Sequence, residues 1–547
     1  MTHLVLTGFM GTGKTSVGRE VARRMGRHFV DMDAEIEARA GKSIPRIFAE
    51  DGEGAFRQME AELCEELSEG LPQRPLGFQK TPRVSPLVIA TGGGALVDPA
   101  NRAQMMDSGT VICLTCDADE ILLRVNGSND ADRPLLDVAD PRAEIERLLA
   151  TRQPAYRAIP WQVDTTALTV DQVAARVIEI AGTITLPVRH PGGEYPIHVG
   201  EGTLAHVGGA LRAAGAPEGT SVAVVSNPVV VPLYGTRVTD TLTLAGLQPF
   251  ACSIPDGERY KTLATVETLY DQFLSRGLDR SGTVLALGGG VTGDVAGFAA
   301  ATFMRGVRFA QVPTTLLAMV DASVGGKTGV DLPQGKNLAG AFKQPALVVV
   351  DPSTLDTLPV EEIRSGMAEV IKHSIIGDPA LFAELETNSP QSPISNFQSL
   401  ISSSRLARAL RVKTDVVEQD PFEGGRRAVL NLGHTVGHAL ERLSRFTLRH
   451  GEAVAIGTVA AVHIAVEVRR AAPALAHRVA DVLTAWGLPV RCPDFKAGAI
   501  WEAMAHDKKH RGRCLRWVLP HAIGQVEIVE DVPRDVVISV LGNMGAS

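Results

Sequence analysis

Apolar and polar positions fall into two regimes along the chain. Up to about residue 352, short apolar runs alternate with turns and helical periods. The runs at 4–6, 110–115, 222–225 and 283–287 read as buried strands, several followed directly by a glycine loop. The stretch 170–180 has the spacing of an amphipathic helix that closes the first α/β alternation. Beyond residue 352 the pattern lengthens: 361–376, 401–418 and 452–469 repeat their apolar residues at helical intervals, with few strand signals between. The expectation is two successive α/β units followed by an all-α unit.

Prolines and glycines crowd the segment from Pro187 to Pro196 and break both periodicities, which places the main boundary there. The predicted division is 1–180, a linker at 181–194, then 195–352 and 353–547. Two stretches, 71–86 and 388–393, lack periodicity and are rich in Pro, Ser or Gln, so they read as loops. No internal repeat is present.

Composition narrows the class. The chain has 547 residues, 45% of them apolar and 21% charged, with 54 glycines, a profile of glycine-rich α/β enzymes. A formal net charge of -8 gives no basic footprint for nucleic acid. No stretch approaches the roughly 20 apolar residues of a membrane span, and the start of the chain shows no secretory pattern. Six cysteines are too few for a disulfide framework, which points to a reducing compartment, the cytoplasm. Cys113 and Cys116 form a C-x-x-C within or just after an apolar run and read as strand packing.

Two glycine loops carry chemistry. Gly8-Phe-Met-Gly-Thr-Gly-Lys-Thr15 follows a strand and precedes a helix, the context that the G-x-x-x-x-G-K-[ST] pattern requires. Successive N–H groups wrap phosphates, Lys14 supplies a charge to them, and the Thr15 hydroxyl can ligate Mg²⁺. The candidate contacts for ATP are Gly8, Gly11, Thr12, Gly13, Lys14, Thr15 and Ser16. The second loop, Gly288 to Asp294, fits G-x-G-x-x-G and offers Gly290, Val291 and Asp294 to a dinucleotide. On spacing alone His434 and His438, four apart on one helix face, resemble a zinc pair.

Longer constellations add a resemblance to known families. Phe29-Val-Asp31-Met-Asp33, Phe56-Arg57-Gln-Met-Glu60, Gly92-Gly93-Gly94, Arg133-Pro-Leu-Leu and Arg152-x-Pro-x-Tyr156 occur in the order that shikimate kinases show, so 1–165 resembles that family. The resemblance implies a P-loop, NMP-kinase-like fold. It also implies that Asp33 positions the attacking hydroxyl and Asp31 helps hold Mg²⁺. Arg57 and Arg152 would clamp the shikimate carboxylate, Gly92, Gly93 and Gly94 would line its pocket, and Arg133 would close over the transferring phosphoryl group. A small polyhydroxy acid needs such an inventory, because each buried polar group left unpaired costs about 1–3 kcal/mol. The stretch from Glu60 to Gly92 is longer than is usual in the family.

From about 195 to 540 the chain resembles 3-dehydroquinate synthase. The residues carrying this are Gly257-Glu258-x-x-Lys261, Arg305-Gly306, the run from Gln311 through Thr314 and Thr315, Asp321 to Lys327 and Gly335-Lys336-Asn337. Further along come Glu369 to Lys372, Lys413, Arg427, Asn431 to His438, His450-Gly-Glu452 and Asp507-Lys508-Lys509. The resemblance implies a Rossmann-like NAD⁺ domain and a helical domain holding one Zn²⁺ or Co²⁺ on Glu369, His434 and His450, with His438 on the substrate instead. NAD⁺ would meet Asn227, Glu258, Lys261, Thr314, Thr315 and Lys336 besides the glycine loop. The phosphate of a seven-carbon heptulosonate phosphate would sit on Lys327, Asn337, Lys509 and Arg305, the last from a second subunit of a homodimer. Asp321, Lys372, Lys413, Arg427, Asn431 and His438 would surround its hydroxyls and carboxylate. Asn227 stands where the family commonly has aspartate. A metal-dependent polyol dehydrogenase, another sugar-phosphate cyclase, a different P-loop kinase and a nucleotide-gated binding protein are the alternatives.

Overall fold

The computed structural model describes residues 3–69, 86–126, 138, 140–388, 401–445, 447–492, 494–511, 515–530 and 532–547, without the side chains of 506–511. The expected loops at 71–86 and 388–393 fall almost wholly outside these residues, as do Arg133 and the Lys509 side chain. The chain folds into two compact units. One comprises Met1–Thr183, Ala205–Glu218 and Asp240–Leu247; the other comprises Ile184–Leu204, Gly219–Thr239 and Gln248–Ser547.

The first unit is built on a parallel sheet of β1 (His3–Gly8), β2 (His28–Asp31), β3 (Leu87–Ala90), β4 (Gly109–Thr115) and β5 (Trp161–Asp164), in the order β2-β3-β1-β4-β5. Helices cover both faces, so the strands are apolar throughout: β1 and β3 bury every residue. Strand order reverses at β1, and the phosphate-type loop lies at its carboxyl end, where α/β sheets bind ligands. The helix Val170–Ala181 carries a capping box from Thr169 and Gln172 and packs Val173, Val177 and Ile180 onto the sheet.

The second unit has a seven-stranded sheet. Its strands are β6 (Ile184–His190), β7 (Gly193–Val199), β8 (Ser221–Ser226), β9 (Gln248–Ser253), β10 (Thr283–Gly288), β11 (Arg308–Pro313) and, after a ribbon, β14 (Leu347–Val350). They run in the order β6-β7-β14-β11-β10-β8-β9, all parallel except the β6–β7 hairpin. That hairpin occupies most of 181–194, which was expected to be linker. Alternation decides it: Leu186 and Val188 turn inward with Tyr195 and Ile197, while Pro187 sits on the edge strand, where its missing N–H costs little. The ribbon pairs β12 (Lys327–Leu332) with β13 (Gly335–Phe342).

Helices Val360–Gly377, Ser403–Gln419 and His450–Glu467 match the three long periods within a few residues. The C-terminal part is helical but not purely so: β15 (Arg516–Ala522) and β16 (Gln525–Glu530) form an antiparallel ribbon, whose prolyl and turn residues masked its alternation. Sheet and helices share one core, in which Val348 and Val350 pack with Met367, Ile371 and Ile456. No helix among the described residues is long and apolar enough to cross a membrane.

Candidate active sites

In the first unit, Lys14 opens the helix Lys14–Met25, and its ammonium donates to the carbonyls of Gly8 and Phe9 at 2.9 Å each. The Thr15 hydroxyl donates to Asp31 Oδ2 at 2.7 Å, while Asp31 Oδ1 caps the helix Met32–Ala40. Thr15 and Asp31 thus present adjacent oxygens beside the loop, a donor set suited to Mg²⁺.

Asp33, the second residue of that helix, faces the loop after β3. A Cβ on Gly92 would stand 2.7 Å from Asp33 Oδ1 and 2.5 Å from Glu60 Oε1; one on Gly93 would meet Arg152 Nη1 at 3.3 Å, and one on Gly94 would collide with Arg57. Three successive glycines therefore let two carboxylates and two guanidiniums converge on bare backbone. Tyr156 clips this loop by donating to Gly93 O at 2.7 Å, and Arg152 lies over the Phe9 ring. Burial pushes the Asp33 pKa up against the pull of Lys14, and burial likewise raises Glu60, although Arg57 donates to it at 2.6 Å. Glu60 had no assigned role; its place three residues after Arg57 on one helix was the available signal.

In the second unit, Gly290 and Val291 begin the helix Gly290–Thr302 at the carboxyl end of β10, a dipole end suited to a pyrophosphate. Thr314 N donates to Gly288 O at 3.0 Å, and Thr315 packs against Gly289. Lys261 joins this loop to the ribbon: its ammonium reaches Asp294 Oδ2 and Asn337 Oδ1 at 2.5 Å each, while Lys336 pairs with Glu258 at 3.0 Å. Asn227 accepts from the N–H groups of Val229 and Val230 and donates to Asp256 Oδ1 at 2.9 Å. A carboxylate is thus present after all, on Asp256, which had not been singled out.

Glu369 lies on the helix Val360–Gly377 and is fully buried, with its Oε2 paired to the Lys372 ammonium and its Oε1 facing two imidazoles. His434 Nε2 and His450 Nε2 stand 3.8 and 3.5 Å from Glu369 Oε1. Single donor atoms of these three residues all lie within 4.8 Å of one another. His434 Nδ1 is anchored on Leu432 O at 3.1 Å and His450 Nδ1 faces Glu441 at 3.5 Å, the outer contacts that orient metal-binding imidazoles. Two imidazoles gathered on one oxygen of a buried carboxylate fit a divalent transition metal. Burial lowers the His450 pKa, but Glu369 and Glu441 outweigh it and push it up to about 10, so a metal would exchange for a proton. His438 is exposed and sits edge-on to His434, with its ring 6.4 Å from that of His450.

Around this trio lie Asp321, Lys372, Lys413 and Arg427. Lys413 binds both the carboxylate, at 2.6 Å, and the carbonyl of Asp321, and Lys372 contacts Glu369 directly. Burial would raise Asp321 and Glu369, yet Lys413 and Lys372 respectively hold both well below the usual carboxylate range. Arg427 Nη2 donates to Gly325 O at 3.0 Å. Lys327 pairs with Glu423 at 2.8 Å; Glu423 went unnoticed because no short motif contains it. His373, also unanticipated, is wholly buried between Asp321 and Glu369, at 3.8 and 4.0 Å. Asn431 is exposed, and Arg305 is exposed in a left-handed conformation.

Comparison with known proteins extends these observations over most of the chain. Residues 10–181 match the shikimate kinase family, 251–365 match 3-dehydroquinate synthase N-terminal, and 366–510 match 3-dehydroquinate synthase C-terminal. The 3-dehydroquinate synthase of Nostoc punctiforme is 46% identical over 364 residues, 66% of this chain and 100% of the relative. That of a Picosynechococcus species is 47% identical over 349 residues, 63% of this chain and 95% of the relative. A solved 2-epi-5-epi-valiolone synthase from Streptomyces hygroscopicus with NAD⁺ and Zn²⁺ bound is 29% identical, with a TM-score of 0.58 over 64% of this chain and 96% of its own. The chain therefore belongs, through its C-terminal two thirds, to the 3-dehydroquinate synthase family, with a shikimate kinase domain fused ahead of it.

Proposed function

We propose that the chain phosphorylates shikimate with ATP in its first unit and cyclises 3-deoxy-D-arabino-heptulosonate 7-phosphate to 3-dehydroquinate, with release of phosphate, in its second. The observation that carries the reading is the convergence of Glu369, His434 and His450 with the lysine-held Asp321, in a chain 46% identical to a 3-dehydroquinate synthase over that relative's full length.

In the kinase, Asp33 accepts the proton of the attacking hydroxyl, and Arg57 and Arg152 hold the carboxylate in bidentate fashion. Lys14 and the loop N–H groups neutralise the phosphates, Thr15 and Asp31 hold Mg²⁺, and Arg133 adds charge to the transferring group.

In the synthase, Glu369, His434 and His450 would hold a divalent metal that would supply polarisation of the oxygen at carbon 5, and the glycine loop would hold NAD⁺, which would supply reversible hydride acceptance at that carbon. Oxidation acidifies the neighbouring proton, phosphate leaves by elimination, and ring opening and aldol closure follow the return of the hydride, so no net redox change results. Lys327, Asn337 and Lys509 bind the phosphate, with Arg305 entering from the second subunit of a homodimer. Lys413, Arg427, Asn431 and His438 hold the hydroxyls and carboxylate, and Lys372 and Asp321 fix the charge balance beside them. Arg427 and Lys413 favour an acid over the neutral substrates of other sugar-phosphate cyclases. The functional division follows 1–180, 195–352 and 353–547, and the cytoplasm is the expected compartment.

A paired assay on the whole chain tests this: phosphate release from the heptulosonate phosphate with catalytic NAD⁺, and ADP formation from ATP and shikimate. Chelation should abolish the first and Lys14→Ala only the second. Stoichiometric NADH would replace the cyclase by a dehydrogenase.

A further inference from the structure

At the end of the seven-stranded sheet remote from the glycine loop lies a cleft of about 450 Å³. It is lined by the start of β11 (Arg308, Phe309), the segment Lys343 to Ala346 before β14, and the β6–β7 turn with His190 and Glu194. In register, Arg308 pairs with Thr283 at the start of β10 and Pro313 with Gly288 at its end. Arg308 therefore stands five residues, or about 17 Å along the strand, from the nucleotide loop.

Two cations face this cleft without a carboxylate within 4 Å of either among the described residues. Arg308 makes one long hydrogen bond, to Ser281 O at 3.4 Å. Lys343 is half-buried; burial first and Arg308 second lower its pKa, the signature of an ammonium short of a counter-charge. The acid at the rim, Glu194, is engaged by Arg189 at 3.2 Å. His190 supplies a third donor: its Nδ1 accepts from Gly192 N at 3.1 Å, which leaves the proton on Nε2, and burial keeps the ring neutral. One wall is nearly bare backbone: nothing stands within 4 Å of a Cβ placed on Gly193, and a Cβ on Gly306 would meet only Ala301 O at 3.6 Å and Lys343 Nζ at 3.9 Å. The backbone is tied down, with Lys343 N donating to Gly326 O and Ala346 N to Phe309 O, both at 2.7 Å.

We propose that this cleft is a second oxyanion site of the synthase half, in which Arg308, Lys343 and the His190 Nε2–H bind a phosphate dianion, free or as the end of a monoester. Like charges brought together and partly buried are costly unless a counter-charge completes them, and a dianion matches the two cations. The lining is polar and shallow, which suits a small anion rather than an apolar ligand.

The test uses the full chain loaded with metal and NAD⁺ and carrying Lys14→Ala and Lys327→Ala, which takes one lysine from the phosphate site of each proposed reaction and so weakens both. Equilibrium dialysis with radiolabelled inorganic phosphate, at constant ionic strength in chloride, should show one saturable site per chain. Adding Arg308→Gln and Lys343→Gln should weaken it at least about tenfold, with the unfolding midpoint unchanged; Arg308→Lys should retain part of the affinity. Displacement by glycerol 3-phosphate would mark the site as one for monoesters, and failure to displace as one for inorganic phosphate; either upholds it. No saturable binding in the first background, or undiminished binding after the glutamine substitutions, overturns it.

Discussion

Both pockets bury carboxylates beneath a glycine loop, and the same burial has opposite outcomes. Asp33 and Glu60 in the kinase pocket are pushed up, whereas Asp321 and Glu369 in the synthase pocket are held down. The difference lies in the partners. Asp321 and Glu369 each touch a buried ammonium, while Glu60 meets the part-exposed guanidinium of Arg57, and Asp33 has cations nearby without an ion pair among the described residues and shares its surroundings with Asp31 and Glu37. A base that must collect a proton profits from a raised pKa; a carboxylate that must hold a cation, or anchor a lysine, profits from permanent charge.

The largest effect expected from breaking this contrast is that of Lys372→Met. It removes the ammonium that touches Glu369, leaving that buried charge to His450 alone, and should destabilise the metal-free chain by about 3–5 kcal/mol, a loss that Zn²⁺ partly reverses in denaturant unfolding. If Zn²⁺ makes no difference, Glu369 is not a ligand. Next, Gly94→Ala pushes Arg57 off Glu60 and should raise the KM for shikimate about 10- to 100-fold with the KM for ATP unchanged, since it costs charge-assisted hydrogen bonds.

Asn227→Asp carries the kinase arrangement into the nucleotide site. It places two carboxylates 2.9 Å apart and removes a donor, so the KM for NAD⁺ should rise about fivefold, roughly 1 kcal/mol, rather than fall towards the family's aspartate pattern. The smallest effect is on pH. Asp33 works ionised, and its raised pKa means that kinase kcat/KM should fall on acidification at a pH above the ordinary aspartate range. Because Glu37 contributes to the rise, Glu37→Gln should move that shoulder to lower pH.

Much of this was legible along the chain, unevenly so. Glycine loops are local: strand, loop and helix are contiguous, and Gly8 to Thr15 and Gly288 to Asp294 stand where their patterns put them. The proposed metal trio is not local. Glu369, His434 and His450 come from three helices, and spacing alone would have paired His434 with His438, whose ring lies beside that of His434 on the exposed side. Asp256 and Glu423 escaped because each matters only through a partner distant in sequence, and His373 because half of its surroundings, Asp321, is equally distant. The β6–β7 hairpin escaped because proline on an edge strand looks, in one dimension, like a linker.

The β12–β13 ribbon has a consequence for how such an enzyme can change. Lys327 stands at its root and Lys336 and Asn337 near its tip, so a single hairpin carries candidate groups for the substrate's phosphate and for the dinucleotide. Mutations that retune it for another sugar phosphate are felt at once by the cofactor. Lineages drifting toward new substrates are thus expected to leave this hairpin nearly untouched and to diversify first among the helical residues that meet the carboxylate.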